Sequence, residues 1–241
     1  MANLVKAVKD GTMSETDAMA EIGRKIELLK GVIGSGNAPV EQMEYVDLGL
    51  PSGKMWAKWY LGADRLDGHG DCYAWGETSP KADSLYYTKE NYLLKDGEYG
   101  NFKRYNKDDG LTMLLPFDDA ATVRLGSKWH IPTRADFLEL RDNCDMVVSS
   151  AGDHQGISFV SKKNGNHVFF RTTGFRHDGK WYGLHTHVRF WIANTSNRAG
   201  YDADYITLIL KEDNTIHVYP HDACFRYYGI CLLYTSDAAD E

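Results

Sequence analysis

Hydrophobic positions in the first 40 residues follow a helical period. Apolar side chains recur at spacings of three and four, the pattern of a coiled-coil seam about two heptads long: Met19, Ile22, Ile26, Leu29 and Ile33. Ser14 and Asp17 are typical of a helix start, and the Gly-Ser-Gly-Asn run at 34–37 is typical of a flexible joint. A lone helix of this length is marginal in water. We therefore expect residues 14–33 to pack on the rest of the chain or to associate with further copies as a homo-oligomer, and the sequence leaves both open.

From Tyr45 onward the pattern changes to short apolar or alternating runs separated by turn residues. Strands are predicted at 46–50, 55–57, 157–160, 167–170, 205–210 and 216–219. Two helices are predicted, one starting within 118–122 and one capped by Thr133, with Asp136 in its first turn. Helices early and many short strands late indicate an α+β domain over residues 41–230, preceded by the helical segment 1–40.

Charge and composition narrow the function classes. The formal net charge is −7 and no block of like charges occurs, which argues against nucleic-acid binding and against a polybasic membrane patch. No apolar run approaches the roughly 18 residues of a membrane span, and the N-terminus lacks a signal-peptide pattern. We expect a virion-associated or cytoplasmic protein as encoded, with surface display open by another route. The 15 Tyr, 9 Phe and 6 Trp are typical either of a binding surface or of a β-rich core.

Candidate metal ligands are few. The cysteines fit no zinc or redox spacing, so free thiols are expected, although one disulfide remains open: Cys72, Cys144, Cys224 and Cys231. Histidines form a weak zinc candidate without a cysteine or carboxylate at a matching spacing: His185, His187, His217 and His221. A calcium site would need clustered carboxylate and carbonyl oxygens, and the Glu-Pro-Asn and Trp-Asn-Asp motifs of sugar-binding lectins are absent. We expect no metal and no cofactor.

A set of ordered motifs is more specific than any of these features. The motifs are YVDLGLPSG at 45–53, Trp56-Ala57, GDCYAWGET at 70–78, DDAAT at 118–122, Gly126 with Trp129, IPT at 131–133, Glu139-Leu140, Phe190-Trp191 and RYYG at 226–229. In this order they resemble the C-type-lectin-like domains of bacterial surface proteins, and of the variable proteins that diversity-generating retroelements diversify in gut bacteria and their phages. The resemblance covers about residues 45–230 and implies that fold, with two helices and short antiparallel sheets.

The resemblance also implies a variable region from about 192 to 230. Such systems replace template adenines, and the mutable codons, mostly AAC or AAT, can then encode neither Lys, Glu, Gln, Met nor Trp. Between Ile192 and Ile230 these residue types occur only as Lys211 and Glu212. This composition favours diversification, and the alternative explanation is that strand-rich segments are poor in Lys and Glu. The aperiodic run at 219–225 is typical of randomised surface positions.

The implied function is the binding of a protein or glycan on a cell surface, by a receptor-binding or adhesive protein. The ligand-binding face is predicted to comprise Asn194, Ser196, Asn197, Tyr201, Asp202, His217, Tyr219, His221, Asp222, Ala223, Phe225, Tyr227 and Tyr228. Aromatic members would anchor the ligand and polar members would adapt to it. Ile216, Val218 and Arg226 are predicted to be scaffold residues.

Two other functions remain open. A domain of the same fold could be a surface or structural protein that is not diversified. The fold is also shared with the formylglycine-generating enzymes, which depend on a cysteine pair in the C-terminal region. Only Cys224 and Cys231 lie there, and no nucleophile elbow, phosphate loop or zinc-protease motif occurs. We therefore expect no catalytic residues.

The last eleven residues, 231–241, resemble the translation of a transposase adapter used in preparing sequencing libraries. The apolar start of this tail could replace a final strand of the domain, whereas the part from Tyr234 to Glu241 is expected to be disordered. No function is expected of the tail.

Overall fold

The computed structural model describes residues 44–81, 86–98, 100–196 and 202–236. Its elements in chain order are β1 (Tyr45–Asp47), β2 (Met55–Ala57), β3 (Cys72–Tyr73), a 3-10 turn (Pro116–Asp118), α1 (Ala120–Leu125), β4 (Trp129–His130), α2 (Arg134–Asn143), β5 (Cys144–Ala151), β6 (His154–Ser161), β7 (His167–Arg171), β8 (Phe175–His177), β9 (Lys180–Tyr182), β10 (His187–Thr195), β11 (Asp202–Leu210), β12 (Ile216–Phe225), β13 (Ile230–Cys231) and β14 (Thr235–Ser236). Strands dominate over two short α-helices, which confirms the predicted α+β class. The helix predicted within residues 14–33 lies outside the described residues.

Five antiparallel sheets organise this part of the chain. One has the strand order β1-β2-β14-β4, two have three strands in the orders β5-β6-β7 and β10-β11-β12, and two are the pairs β3-β13 and β8-β9. All pairings are antiparallel. The β10-β11-β12 sheet contains most of the residues predicted to bind ligand.

Local sequence signals account for both helices. Asp119 caps α1 by accepting a hydrogen bond from the Thr122 backbone at 3.0 Å, and it also accepts one from the Ile131 backbone at 2.8 Å. Thr133 and Asp136 form a reciprocal capping box at the start of α2. Each cap satisfies backbone N–H groups that have no partner inside the helix. The two predicted helix starts are therefore confirmed.

The first predicted strand is shorter than its apolar run. It ends at Asp47, whose carboxylate accepts a hydrogen bond from the Gly49 backbone at 2.6 Å. Gly49 has a φ of 61°, a left-handed conformation that breaks the strand and that glycine adopts without a steric penalty. Leu48 and Leu50 still reach the core through this bend, and the predicted turn closes with a 2.9 Å bond from Gly53 N to Leu50 O.

The C-terminal segment contributes to the core, and the expected disorder from Tyr234 onward is wrong for Tyr234–Ser236. Thr235 pairs with Trp56 on one side and with His130 on the other. The Tyr234 ring packs edge-on against Trp129, with centroids 5.4 Å apart. The expectation failed because Thr235 and Ser236 pair as a strand between β2 and β4, and pairing between distant segments has no local sequence signal.

Buried tryptophans join the β3 segment to the β10-β11-β12 sheet. The indole nitrogen of Trp75 donates to the Ile192 carbonyl at 2.9 Å, and that of Trp191 donates to the Tyr73 carbonyl at 2.8 Å. A buried indole N–H without a partner would be unfavourable, so these bonds fix the two segments relative to one another. In the part of the chain that the structure describes, no helix is long and apolar enough to span a membrane.

Candidate ligand-binding face

One face of the β10-β11-β12 sheet lies in the core. The second face is buried at Trp191, Tyr205 and Thr207 and is exposed along β12 at His217 and Tyr219. On the core face, Val188 pairs with Leu208 and Leu208 with Val218, while Phe190 pairs with Ile206. The β10 and β11 members of this face are fully buried. Side chains on the other face form three rows across the strands: His187–Ile209–His217, Arg189–Thr207–Tyr219 and Trp191–Tyr205–Asp222. We call this second face the outer face.

A bulge in β12 explains the aperiodic run at 219–225. Tyr205 is opposite Asp222 whereas Thr207 is opposite Tyr219, so Pro220 and His221 together face a single residue of β11. Two residues opposite one is the geometry of a β-bulge. Proline is tolerated at such positions and on edge strands, because no ladder hydrogen bond is lost there. The run is therefore a strand in which the bulge shifts the alternation of side chains.

The predicted binding residues differ widely in exposure. His217, Tyr219 and Phe225 are exposed, whereas Ser196, Asp202, Asp222, Ala223 and Tyr228 are half-buried. The side chains of His217, Tyr219 and Asp222 lie on the outer face of β12. Those of Ala223 and Phe225, at the end of the strand, lie on the opposite face. Asn197 and Tyr201, and the side chain of His221, lie outside what the structure describes.

Two predicted binding residues have structural positions instead. Asn194 is half-buried, and its side-chain oxygen accepts a 2.8 Å hydrogen bond from the Arg134 backbone at the start of α2. Tyr227 is only 8% exposed, so its prediction as part of an exposed face is wrong. The reason is that Tyr227 stacks on Phe225 at a centroid distance of 5.4 Å and lies 5.2 Å from the Tyr228 ring.

The scaffold prediction is supported most clearly at Arg226. This side chain is 1% exposed and donates to the carbonyls of Asp202 and Tyr105, at 3.1 and 2.7 Å. Its guanidinium also lies over the rings of Trp75 and Phe102. Arg226 therefore joins the end of β12 to the core. Ile216 and Val218 are half-buried and pack against the same core.

Aromatic side chains of the β8-β9 hairpin extend the site, and none of them was among the predicted residues. Phe175 stacks between two tyrosines, 5.0 Å from Tyr182 and 5.2 Å from Tyr228. The ring centroid of His177 lies 4.5 Å from that of Tyr228. Tyr182 and the neighbouring Trp181 are 41% and 39% exposed, so the hairpin adds accessible aromatic surface. The sequence signal for the hairpin is Asp178-Gly179 between aromatic residues, a strong two-residue turn pattern.

Gly229 fixes this hairpin to the end of the RYYG motif. Its backbone exchanges two hydrogen bonds with Arg176, at 2.7 and 2.9 Å. A Cβ at position 229 would lie 2.7 Å from the Tyr87 ring, closer than van der Waals contact allows. Glycine is therefore required by the close approach of Tyr87, and the approach holds β8 beside Tyr228.

The outer face is positively charged around His187 and Arg189. The Arg189 guanidinium lies 4.5 Å from the Phe175 ring centroid and 5.3 Å from that of Tyr205. Burial, together with the charges of Arg189 and Lys211, lowers the pKa of His187 to about 4. The Tyr205 hydroxyl donates to the Asp222 carboxylate at 2.8 Å, and burial raises the pKa of this tyrosine well above its usual range. His187 is therefore neutral at pH 7, and Arg189 and Asp222 are the charged groups on either side of Tyr205.

The residues that could bind a metal ion in the structure are not the histidines considered from the sequence. Among the described residues, one group has metal-ligand character and ligand atoms within 4.8 Å of one another: His69, Cys72 and Cys231. The two sulfurs are 3.8 Å apart. Burial alone would raise the pKa of Cys231, but the Cys72 hydrogen bond and the His69 charge lower it. Burial likewise opposes the charged form of His69, and the Cys231 thiolate raises its pKa to about 9.

This group could hold a soft metal ion by its chemistry. Cys231 belongs to the segment that resembles translated adapter, so the group carries no functional argument. The histidines considered for zinc, with the side chain of His221 outside the description, form no second group among the described residues.

Comparison with protein-family models, with characterised proteins and with solved structures finds no match for this chain.

Proposed function

We propose that this chain is a ligand-binding protein of the C-type-lectin-like fold, whose face on β10-β11-β12 is diversified by a retroelement. One observation carries the proposal. His217 and Tyr219 are exposed on a strand whose alternate residue, Val218, packs on the core. Such a strand holds its exposed side chains in fixed positions while their identity can change, and rigid support reduces the entropy lost on binding.

The arrangement of the motifs supports the proposed fold. The YVDLGLPSG and Trp56-Ala57 motifs form the β1-β2 hairpin, and the DDAAT and IPT motifs lead into α1 and α2. Phe190-Trp191 lies in β10, and Arg226 of the RYYG motif bonds to the carbonyl of Tyr105 in the core. Two helices with short antiparallel sheets is the architecture that the resemblance implies. Each motif thus has a structural role at a place where elements join.

The positions of Lys211 and Glu212 are consistent with diversification. These are the only residues between 192 and 230 that adenine mutagenesis of an AAC or AAT codon cannot produce. Both are exposed at the turn between β11 and β12, where the Lys211 backbone bonds to Thr215 O at 3.0 Å. They therefore lie outside the rows of the outer face, and their codons need not be mutable.

The composition of the accessible surface is that of a binding site for a macromolecule. Tryptophan, tyrosine and arginine are enriched in the energetic centres of protein interfaces. Tyr219, Phe225, Tyr182 and Trp181 are all substantially exposed. A protein or glycan on a cell surface is the ligand class proposed, for a receptor-binding or adhesive role.

Sequencing the DNA that flanks this gene in its source tests the proposal. We expect a reverse transcriptase gene and a near-repeat of codons 192–230 that differs only where the repeat has adenine. The differing codons should include His217 and Tyr219 and should exclude Val218 and Arg226. If no near-repeat exists, the retroelement claim fails and a domain that is not diversified remains. Differences at Val218 and Arg226 that match those at His217 would contradict the assignment of the face.

A further inference from the structure

Arg189 is half-buried and has no carboxylate partner among the described residues, unlike three other arginines. Arg134 pairs with Asp204, Arg104 with Asp118 and Arg124 with Asp71. The Arg189 side chain has neither an ion pair nor a hydrogen bond with any residue that the structure describes, and its Nε is buried. A partly desolvated charge without a partner is unfavourable, and proteins normally pair such groups.

A second unpartnered polar group lies directly opposite. Thr207 is 1% exposed, and its hydroxyl oxygen is buried without a hydrogen-bond partner. Arg189 and Thr207 are a cross-strand pair, so both side chains are on the outer face, in the row that Tyr219 continues. Two unsatisfied donors on neighbouring strands indicate a position prepared for an acceptor.

The charges around this pair favour an anion. Lys211 and Arg189 both lower the pKa of His187 on the same face. The outer-face rows contain one carboxylate, that of Asp222. It accepts a 2.8 Å hydrogen bond from the Tyr205 hydroxyl, and the Tyr205 ring lies beside the Arg189 guanidinium. Asp222 is also within the window proposed to vary, whereas Arg189 precedes it. Arg189 is therefore the charged residue of this face that diversification would leave unchanged.

We propose that Arg189 and Thr207 form a carboxylate-binding site for an acidic segment of a protein partner. The inference rests on the proposed function and names the ligand group that Arg189, which precedes the variable window, binds together with the buried Thr207. An arginine fork binds a carboxylate through two charge-assisted hydrogen bonds, and the threonine hydroxyl supplies a further donor. The phenylalanine and tyrosines beside the fork exclude water, which strengthens the pairing.

The aromatic surroundings favour a protein carboxylate over an acidic sugar. Sugar rings stack on open aromatic faces, but Phe175 beside Arg189 already contacts Tyr182, Tyr228 and the guanidinium itself. The Phe175 ring beside the guanidinium is therefore already occupied by its neighbours and does not offer an open face to a sugar ring. That environment is typical of the arginine- and tyrosine-centred contacts between proteins.

Nuclear magnetic resonance titration tests the site with defined probes. The probes are acetyl-Gly-Glu-Gly-amide, its neutral Gln counterpart and digalacturonate, each added to the full chain at constant ionic strength. Backbone amide resonances of β10 and β11 report binding in the parent and in every variant, and the Nε–H resonance of Arg189, identified by its loss in Arg189→Lys, shows in the parent whether the probe reaches the guanidinium. We expect the Glu peptide to bind about tenfold more tightly than the Gln peptide and than digalacturonate, and we expect Arg189→Gln to remove the preference.

Arg141→Gln is the matched control, because Arg141 pairs with Asp142 on α2 and the change alters the net charge equally. It should leave the Glu preference intact. Equal binding of the Glu and Gln peptides would overturn the site, as would an equal loss in Arg141→Gln. Stronger binding of digalacturonate would overturn the choice of a protein partner.

If Arg189→Gln does not fold, Arg189→Lys is the second variant. It should retain a weakened preference for the Glu peptide, and an unchanged preference would contradict a carboxylate held by the arginine fork. A retroelement repeat can be absent while this site binds, so the two proposals fail separately.

Discussion

Arg189 on β10 lies directly opposite Thr207 on β11, and the Nε of the first and the hydroxyl of the second are both buried without a hydrogen-bond partner. Both atoms would form hydrogen bonds with water in the unfolded chain, so the folded state loses these interactions. Unsatisfied polar groups lower the free energy of unfolding, and such a loss beside exposed aromatic side chains is typical of a binding site. The unliganded protein should therefore gain stability when one of the two groups becomes apolar.

Thr207→Val tests this consequence. Valine has nearly the same shape and removes the unsatisfied hydroxyl, so we expect the free energy of unfolding to rise by about 1 kcal/mol. Thr207→Ser is the matched control: it keeps the hydroxyl, removes a methyl group and should lower the free energy by about 1 kcal/mol. Both are measured by urea denaturation. A valine variant less stable than the parent would show that the hydroxyl has a partner in solution.

Tyr227 and Phe225 are neighbours with different expected roles. Tyr227 is 8% exposed, so Tyr227→Ala should lower the free energy of unfolding by about 3 kcal/mol through lost packing. Phe225 is 41% exposed, and Phe225→Ala should cost about 1 kcal/mol, mainly the stacking on Tyr227. Thermal and urea denaturation of the two variants provide the comparison. If Phe225→Ala is the more damaging change, the assignment of Tyr227 to the scaffold is incorrect.

His187 should make stability depend on pH. Its pKa is about 4 in the folded protein, because burial and the charges of Arg189 and Lys211 oppose protonation, against an ordinary value near 6.5. Between these values the unfolded chain binds more protons, so stability is greatest above pH 6.5 and falls toward pH 4. The imidazole is partly exposed, which reduces the expected loss to about 1 kcal/mol.

His187→Gln has no ionisable group and should remove that part of the pH dependence. Urea midpoints at pH 7 and pH 4.5 for the parent and the variant give the difference. A parent and variant whose stabilities fall equally would show that His187 titrates normally.

Residues Tyr234–Ser236 should be required for folding. Thr235 pairs with both β2 and β4, so a chain that ends at Leu233 leaves Trp56 and Trp129 without a strand between them. We expect that chain to lose about 5 kcal/mol, comparable to the whole stability of many domains, and to lose cooperative unfolding. A chain that ends at Ser236 is the control and should unfold cooperatively. Equal midpoints for the two chains would contradict the position of β14.

Features encoded within a few residues could be predicted from the sequence. Thr133 and Asp136 form their capping box three positions apart, and the turn at Pro51–Gly53 closes with one local hydrogen bond. The insertion of β14 between β2 and β4 could not be predicted, because pairing between distant segments has no local signal. The same limit hid the approach of β8 to Tyr228, which depends on the Gly229–Arg176 bridge.

The candidate face was predicted in outline and corrected in detail. The run at 216–219 alternates, so Tyr219 was correctly expected to differ in environment from Val218. Beyond Pro220 the bulge shifts the alternation, and a one-residue shift reverses which side chains are exposed. Phe225 therefore points to the other side of the strand from Tyr219. Tyr227 lies in the turn after β12, where it stacks on Phe225, so its burial has no signal in the alternation of the strand.

Two matched libraries test most directly whether exposed side chains vary on a rigid scaffold. One randomises His217 and Tyr219, and the other randomises Val218 and Arg226 in the same segment. Each library is displayed on yeast and sorted for resistance to protease, then for binding to an unrelated protein such as lysozyme. We expect most members of the first library and few of the second to be resistant, and binders to arise only from the first. Equal resistance in both libraries, or a first library that rarely folds, would contradict a diversified face on this sheet.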